Sequence, residues 1–327
     1  MLNKESKIIV TGGAGFIGSC VVRTLNDRGY NKIFIVDNIA ETEKWKNIRN
    51  KNYIDYIQRD DFINRLEAGD YDDVSAVIHM GACSSTTEKD FDYLWKNNVL
   101  FSERLWLFCS EKNIQLIYAS SAATYGDGML GFNDSMIDGL CPLNGYGYSK
   151  LAFDKWTTNQ STRPKQTVGL RFFNVYGPNE YYKGSMASMV FHGFGQIKDF
   201  GEIRLFKSCN KRYLDGGQLR DFVYVKDVCK VIMYFLDNPD SEGIYNVGTG
   251  KAQSFAELGE AVFDALGIQE NIRYIDMPEH LKEKYQYYTQ ADIGKLRATG
   301  YTEPFLDLNA GILDYVTNHL SKNYANY

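Results

Sequence analysis

Short unbroken apolar runs alternate along this chain with longer stretches in which apolar residues recur every three or four positions. KIIVT (7–11), IFIVD (33–37), AVIHM (76–80), QLIYAS (115–120) and TVGLRFF (167–173) are of the first kind. A strand without polar alternation must be covered on both faces, which points to a parallel sheet flanked by helices. The amphipathic stretches between the runs, among them 16–29 and roughly 89–112, predict those helices. The pattern as a whole predicts an α/β fold, a doubly wound parallel sheet of the Rossmann type. Beyond residue 173 the periodicity weakens and glycines multiply, yet no low-complexity linker or internal repeat intervenes. This predicts a smaller, partly discontinuous second domain closely joined to the first. The expected division is 1–173 with 221–250 for the sheet domain, and 174–220 with 251–327 for the smaller one.

Composition narrows the function mainly by exclusion. A net charge of −5 and the lack of a basic run argue against a nucleic-acid partner. MLNKESKIIVTGG leads straight into a strand, and no apolar run approaches membrane-spanning length, so a cytoplasmic protein with no membrane partner is expected. The six cysteines are scattered without a C-x-x-C pair, and the four histidines lie far apart. Reduced thiols and no metal site are therefore expected.

TGGAGFIGS supplies the first chemistry. Gly12, Gly15 and Gly18 fall three residues apart, directly after the first strand and at the start of the first helix. That spacing suits a tight turn, close approach of backbone to a pyrophosphate, and close helix–strand packing. The helix N-terminus adds free N–H groups and partial positive charge. Asp37 ends the second strand nineteen residues beyond Gly18, where a carboxylate can reach a ribose hydroxyl. A dinucleotide is the expected ligand.

YGYSK places Tyr146 and Lys150 four residues apart, hence about 400° around a helix and on one face. Beside a nicotinamide, an alcohol gives up hydride only if its proton also has a destination. A tyrosine can serve when a neighbouring ammonium favours its anion, so Lys150 is expected to lower the Tyr146 pKa. Ser121, leaving the fifth strand in YASSAATYG, is a candidate to hold the substrate oxygen. His79 is expected to be a packed histidine, and Cys83 a small packing residue.

The motifs GGAGFIG, HMGACSS, YASSAATYG, YGYSK, RFFNVYGP and RDFVYVKDV, spread over nearly the whole chain, resemble the extended short-chain dehydrogenases/reductases that act on nucleotide sugars. HMGACSSTTE (79–88), NVYGPNEYYKGSMAS (174–188) and YQYYTQAD (285–292) are more closely similar to the branch that inverts carbon 6 of an ADP-linked heptose for lipopolysaccharide. The resemblance implies an isomerase with tightly held NADP, an ADP-heptose substrate and a homo-oligomer, a pentamer in that branch. It implies proton transfer by Tyr146 and Lys183, supported by Ser121 and Lys150. It implies cofactor contacts from Phe16, Ile17, Asp37, Asn38, the run Met80, Gly81, Ala82, Cys83 and Ser84, Asn97, Val175, and also Tyr146, Lys150 and Lys183. Asn174, Ser185, His192, Phe206, Lys207, Ser208, Cys209, Arg220 and Tyr285 would bind the nucleotide sugar. Asp37 favours NAD over NADP, because a carboxylate repels a 2′-phosphate; Lys44 and Arg59 are the residues that could offset it. The segment CNKRYLDGGQL departs from the family by its length and is expected to be a surface loop.

Three other functions fit parts of the pattern. A 4,6-dehydratase shares these motifs, but Ala122 and Ala123 stand where its acidic pair is expected. A net reductase would have to exchange its cofactor at each turnover. A non-catalytic cofactor sensor would not need Ser121, Tyr146 and Lys150 together.

Overall fold

A computed structural model describes residues 2–282 and 285–327. Its strands are β1 (Lys7–Thr11), β2 (Ile33–Asp37), β3 (Asp55–Gln58), β4 (Val74–His79), β5 (Gln115–Ser121), β6 (Gln166–Phe172), β7 (Asn174–Tyr176), β8 (Ile203–Phe206), β9 (Leu219–Tyr224), β10 (Gly243–Val247), β11 (Ala252–Ser254) and β12 (Ile272–Ile275). Seven of them form one sheet in the order β10-β6-β5-β4-β1-β2-β3. Every pairing in it is parallel. The chain runs outward from β1 to β3, then returns to β4 on the other side of β1. The strand ends Thr11 and His79 therefore flank the point where the winding reverses. Ligands of such sheets bind there.

The apolar runs explain why the sheet is internal. Ile8 and Val10 pack into one core with Ile35 and Ile78, while Ile9 packs into a second with Val36, Val77 and Leu116. Alternate residues of one strand thus enter opposite layers, and both layers exclude water. The short β3 was not foreseen, because DYIQ is only half apolar and lies at the sheet's edge. The predicted helix over 89–112 is present but not uniform. Phe91–Trp95 and Phe101–Glu111 are α-helical, and the turn Lys96–Leu100 between them is wound as a π-helix.

The remaining strands make a small sheet, β11-β9-β7, and a pair, β12-β8. β9 lies in the small sheet, whereas the helix Val225–Asp237 that follows it leads back to β10 in the large one. No helix among the described residues is long and apolar enough to cross a membrane.

Helix Gly145–Thr158 is fastened to the sheet by a wholly buried ion pair. Asp154 Oδ2 accepts from Arg171 Nε of β6 at 3.0 Å, with neither side chain exposed. The same carboxylate accepts from Ser120 Oγ at 2.9 Å and from the Tyr118 hydroxyl at 3.1 Å, both on β5. Arg171 also donates to the Met136 carbonyl, and its guanidinium lies 4.9 Å from the Tyr125 ring centre. Removing one partner of a buried pair strands the other charge. Arg171→Leu should therefore lower unfolding free energy by about 3–5 kcal/mol, read as a fall in the urea midpoint.

Candidate active site

The turn after β1 is set by close backbone approach. Gly12 has φ of +65°, and a Cβ there would sit 2.7 Å from the Gly81 nitrogen. A Cβ on Gly18 would come within 2.1 Å of the Gly12 carbonyl oxygen. Only glycine fits either place. Gly15 then caps helix Phe16–Asp27 without a side-chain bond, and no acidic residue stands in the first turn. The helix therefore presents free N–H groups and uncompensated positive charge, which fits a phosphate-bearing ligand.

Asp37 closes one end of this cradle. Its Oδ2 accepts from Ala14 N at 2.9 Å and its Oδ1 from Asn38 N at 2.7 Å. Lys44 Nζ pairs with the same Oδ1 at 2.8 Å. Asp37 and Lys44 continue into a side cavity of about 150 Å³ that Asn38, Arg59 and Asn97 also line. Arg59 donates to Asn97 Oδ1 at 2.7 Å and pairs with Asp60.

The main cavity, about 820 Å³, runs from the glycine loop across the strand ends. Gly12, Gly15, Phe16, Ile17 and Gly18 line it, as does the stretch from Met80 to Ser84. Ser121, Tyr146 and Lys150 face it from β5 and helix Gly145–Thr158. Asn174, Val175, Lys183 and His192 complete it from the chain after β6. Residues some 170 positions apart in sequence thus meet around one space.

One electrostatic expectation is corrected. Tyr146 is not held low by Lys150: desolvation pushes its phenol up, opposed by a hydrogen bond with Ser121 and reinforced by Cys83. The Lys150 ammonium instead donates to the Ala119 carbonyl at 2.9 Å. Its own pKa is pulled down to about 8 by burial, against the attraction of Asp154. Lys183 is likewise lowered by desolvation, with Glu180 opposing. Its Nζ lies 5.8 Å from the Phe16 ring centre. Burial raises the Cys83 thiol, so it is not an activated thiolate.

The remaining expected residues do not line this cavity. Ser185 is exposed in the single turn Gly184–Met186. Phe206 ends β8 and meets Tyr285 edge-on with centroids 6.5 Å apart. Lys207 pairs with Asp276, Ser208 Oγ accepts from Asn210 N, and Cys209 N donates to the Tyr287 hydroxyl. Lys207 and Ser208 lead into CNKRYLDGGQL, which Cys209 opens; residues 209–215 form the expected surface loop, closed by a turn at Gly216, while Gln218 is buried and Leu219 begins β9. Arg220 is neither free nor in an ion pair with a described residue. It donates to the Leu219 and Gln286 carbonyls and lies 5.4 Å from the Tyr285 ring centre. Phe255, 5.7 Å from the same guanidinium, lines the main cavity, so Arg220 stands just behind its wall.

Residues 8–248 match the model of the NAD dependent epimerase/dehydratase family. The chain belongs to that family. It is 52% identical to the ADP-L-glycero-D-manno-heptose-6-epimerase of Fusobacterium nucleatum, over 96% of this chain and 98% of the relative. The enzyme of the same name from Nitratidesulfovibrio vulgaris is 50% identical with the same coverage. The crystal structure of Helicobacter pylori ADP-L-glycero-D-manno-heptose-6-epimerase superposes with a TM-score of 0.81 at 31% identity, covering 97% of this chain and 98% of that one.

In this epimerase/dehydratase family member, several supporting residues escaped sequence reading. Asn98, in the π turn, accepts from Cys83 N at 2.8 Å and donates to Cys83 O at 3.0 Å and to Ser149 Oγ at 2.9 Å. It joins the loop after β4 to the tyrosine-bearing helix. A π turn inside a predicted helix often marks such a place, but the pattern of apolar residues does not reveal it. Glu180, fully buried, accepts from Ser188 N, Ser188 Oγ and Gly177 N and closes the loop that carries Lys183.

His79 is packed, as expected, between the Thr11 and Ser102 hydroxyls at 2.5 and 2.8 Å. Thr11 Oγ1 in turn accepts from Gly81 N at 3.1 Å, so the imidazole steadies the turn against Gly12. Burial drives its pKa down to about 3, with Lys150 adding to the effect. The unfolded chain takes up this proton below its ordinary value of about 6.5 while the folded protein does not. Stability should therefore fall as pH drops from about 6.5 toward 3. Between pH 7 and pH 5 the loss through this group should be about 2 kcal/mol by urea unfolding. His79→Gln should remove that part of the slope.

Proposed function

We propose that this chain interconverts ADP-D-glycero-β-D-manno-heptose and ADP-L-glycero-β-D-manno-heptose by inverting carbon 6, using tightly held NADP, in lipopolysaccharide core heptose synthesis. The observation that carries the reading is that Tyr146 and Lys183, from separate segments, face one cavity with Ser121 and the glycine cradle. The identity to epimerases of this name over nearly the full chain supports the choice of substrate.

The glycine cradle and the free helix end would hold the dinucleotide's phosphates, and Asp37 with Asn38 its adenosine ribose. When bound, its nicotinamide supplies the chemistry of hydride removal from carbon 6 and return to the opposite face. The protein's own part is to move protons. As the carbonyl forms, one side chain takes the hydroxyl proton; as the carbonyl is reduced, another returns one. The carbonyl turns over between the two events, so its oxygen occupies two places. Tyr146, with Ser121 beside it, serves one place, and Lys183 serves the other. Asn174 and His192 would bind the sugar nucleotide from the cavity wall, with Arg220 behind it.

NADP over NAD is favoured by Lys44. Its ion pair with Asp37 neutralises the carboxylate that would repel a 2′-phosphate. Arg59 lines the same side cavity. The protein purified without added cofactor should release NADP(H) on denaturation, identified by mass. Finding only NAD, with no preference for NADP on reconstitution, would overturn this assignment and leave the fold unaffected.

Incubation with the purified D-glycero epimer, followed by analysis of carbon-6 configuration, tests the activity. Tyr146→Phe keeps ring packing and should slow epimerisation by about 10²–10⁴-fold with substrate binding retained. Lys183→Met should stop net epimerisation yet let one epimer reduce bound cofactor much faster than the other. Equal residual rates from both epimers at saturation would make Lys183 a binding residue only.

A further inference from the structure

We infer that residues 324–327 are a strap that positions Lys183, acting through the buried carboxamide of Asn179. The inference rests on the proton-transfer role proposed for Lys183. That side chain is carried on an irregular loop, not on a helix or strand, so something must fix the loop's entry. Its first turn is built on Asn179, which is 1% exposed and holds a left-handed φ of +74°. Lys183 N donates to the Glu180 carbonyl at 3.0 Å within that same turn.

Three segments meet at Asn179. Its Nδ2 donates at 2.9 Å to Ser19 Oγ on the helix behind the glycine loop. Asn47 Nδ2 donates at 3.2 Å to its carbonyl and at 3.0 Å to that of Ala14 in the glycine loop. Its Oδ1 accepts from Tyr327 N at 2.9 Å and from Asn326 Nδ2 at 3.3 Å. Asn326 Nδ2 also reaches Asn47 Oδ1 at 2.8 Å, so one amide group ties the turn to the glycine loop's support. The Tyr181 hydroxyl, two residues before Lys183, donates to the Ala325 carbonyl at 2.9 Å. Lys51 Nζ donates to the Tyr327 backbone oxygen at 2.5 Å, and Lys226 Nζ lies 4.9 Å from that tyrosine's ring centre. The strap therefore supplies both donors to Asn179 Oδ1, and without it the turn bearing Lys183 is left with its bonds to Ser19 and Asn47 and those made by Glu180. The groups that place Tyr146 (Ser121, Asn98 through Ser149, and Asp154) make none of these contacts.

The test uses the full chain, Asn326→Asp, and a chain ending at Asn323. Asn326→Asp nearly preserves shape but replaces the amide donor with an oxygen facing two carbonyl oxygens. Both variants should lower kcat for net epimerisation about ten- to a hundredfold, with KM and cofactor reduction by the Tyr146-served epimer within about twofold of wild type. Hydrogen exchange in the peptide 177–188 should quicken in both. Net epimerisation close to wild type, or an equal loss with both epimers, would overturn the strap. Unchanged exchange in 177–188 would overturn it independently of any assay. If Lys183→Met epimerises normally, the proposed role of Lys183 fails, and the exchange measurement still decides whether 324–327 holds the loop. Should the shortened chain not fold, Asn326→Asp carries the test.

Discussion

The candidate site depends on the buried pair between Asp154 and Arg171. Tyr146, Lys150 and Asp154 follow one another at four-residue steps down one helix face. Fixing the last of them to the sheet fixes the rotation and height of the first two. Asp154 does this by gathering Arg171 from β6 and Ser120 and Tyr118 from β5. Desolvation raises the carboxyl's pKa, and the guanidinium, aided by the two hydroxyls, works against that rise. Such a pair returns little net stability once both ions have left water. Its consequence is geometric: Ser120 is held by the carboxylate, so Ser121, the next residue, leaves β5 toward the cavity beside Tyr146.

What could be read from the sequence was whatever is decided locally. The glycines of the first turn are required by contacts within a few residues and with one neighbouring strand, so their spacing announces them. The Tyr146–Lys150 spacing is likewise fixed by helix geometry alone. The five apolar runs were visible because a strand buried on both faces has no polar positions to confuse the pattern. β3 was not visible, because an edge strand of four residues carries Asp55 and Gln58.

The rest is long-range. The Asn98 clamp on Cys83 depends on a π turn that no periodicity announces. The Asn47 bond to Asn179 spans 132 residues, and polar residues of this kind look like surface loop in a sequence. Arg220, which the resemblance places at the nucleotide sugar, is enclosed by the small sheet and residues 285–287, and two of its N–H groups donate to backbone carbonyls. The expected effect of Lys150 on Tyr146 failed for a similar reason. Spacing put the two groups on one face but could not say that the ammonium would turn to the Ala119 carbonyl.

That failure changes how the proposed acid–base pair should be understood. Desolvation favours the uncharged form of any titratable group, so it acts in opposite directions on a phenol and an ammonium. In this cavity it raises Tyr146 and lowers Lys183. Each is moved toward its neutral form. In a reversible interconversion each group takes a proton in one direction and gives one in the other. The Ser121 hydrogen bond opposes the rise of Tyr146 and the Glu180 carboxylate opposes the fall of Lys183, so neither group's state is set by water exclusion alone. Lys150 feels the same burial, which lowers it to about 8, while Asp154 favours its charged form and the Ala119 carbonyl accepts from its ammonium.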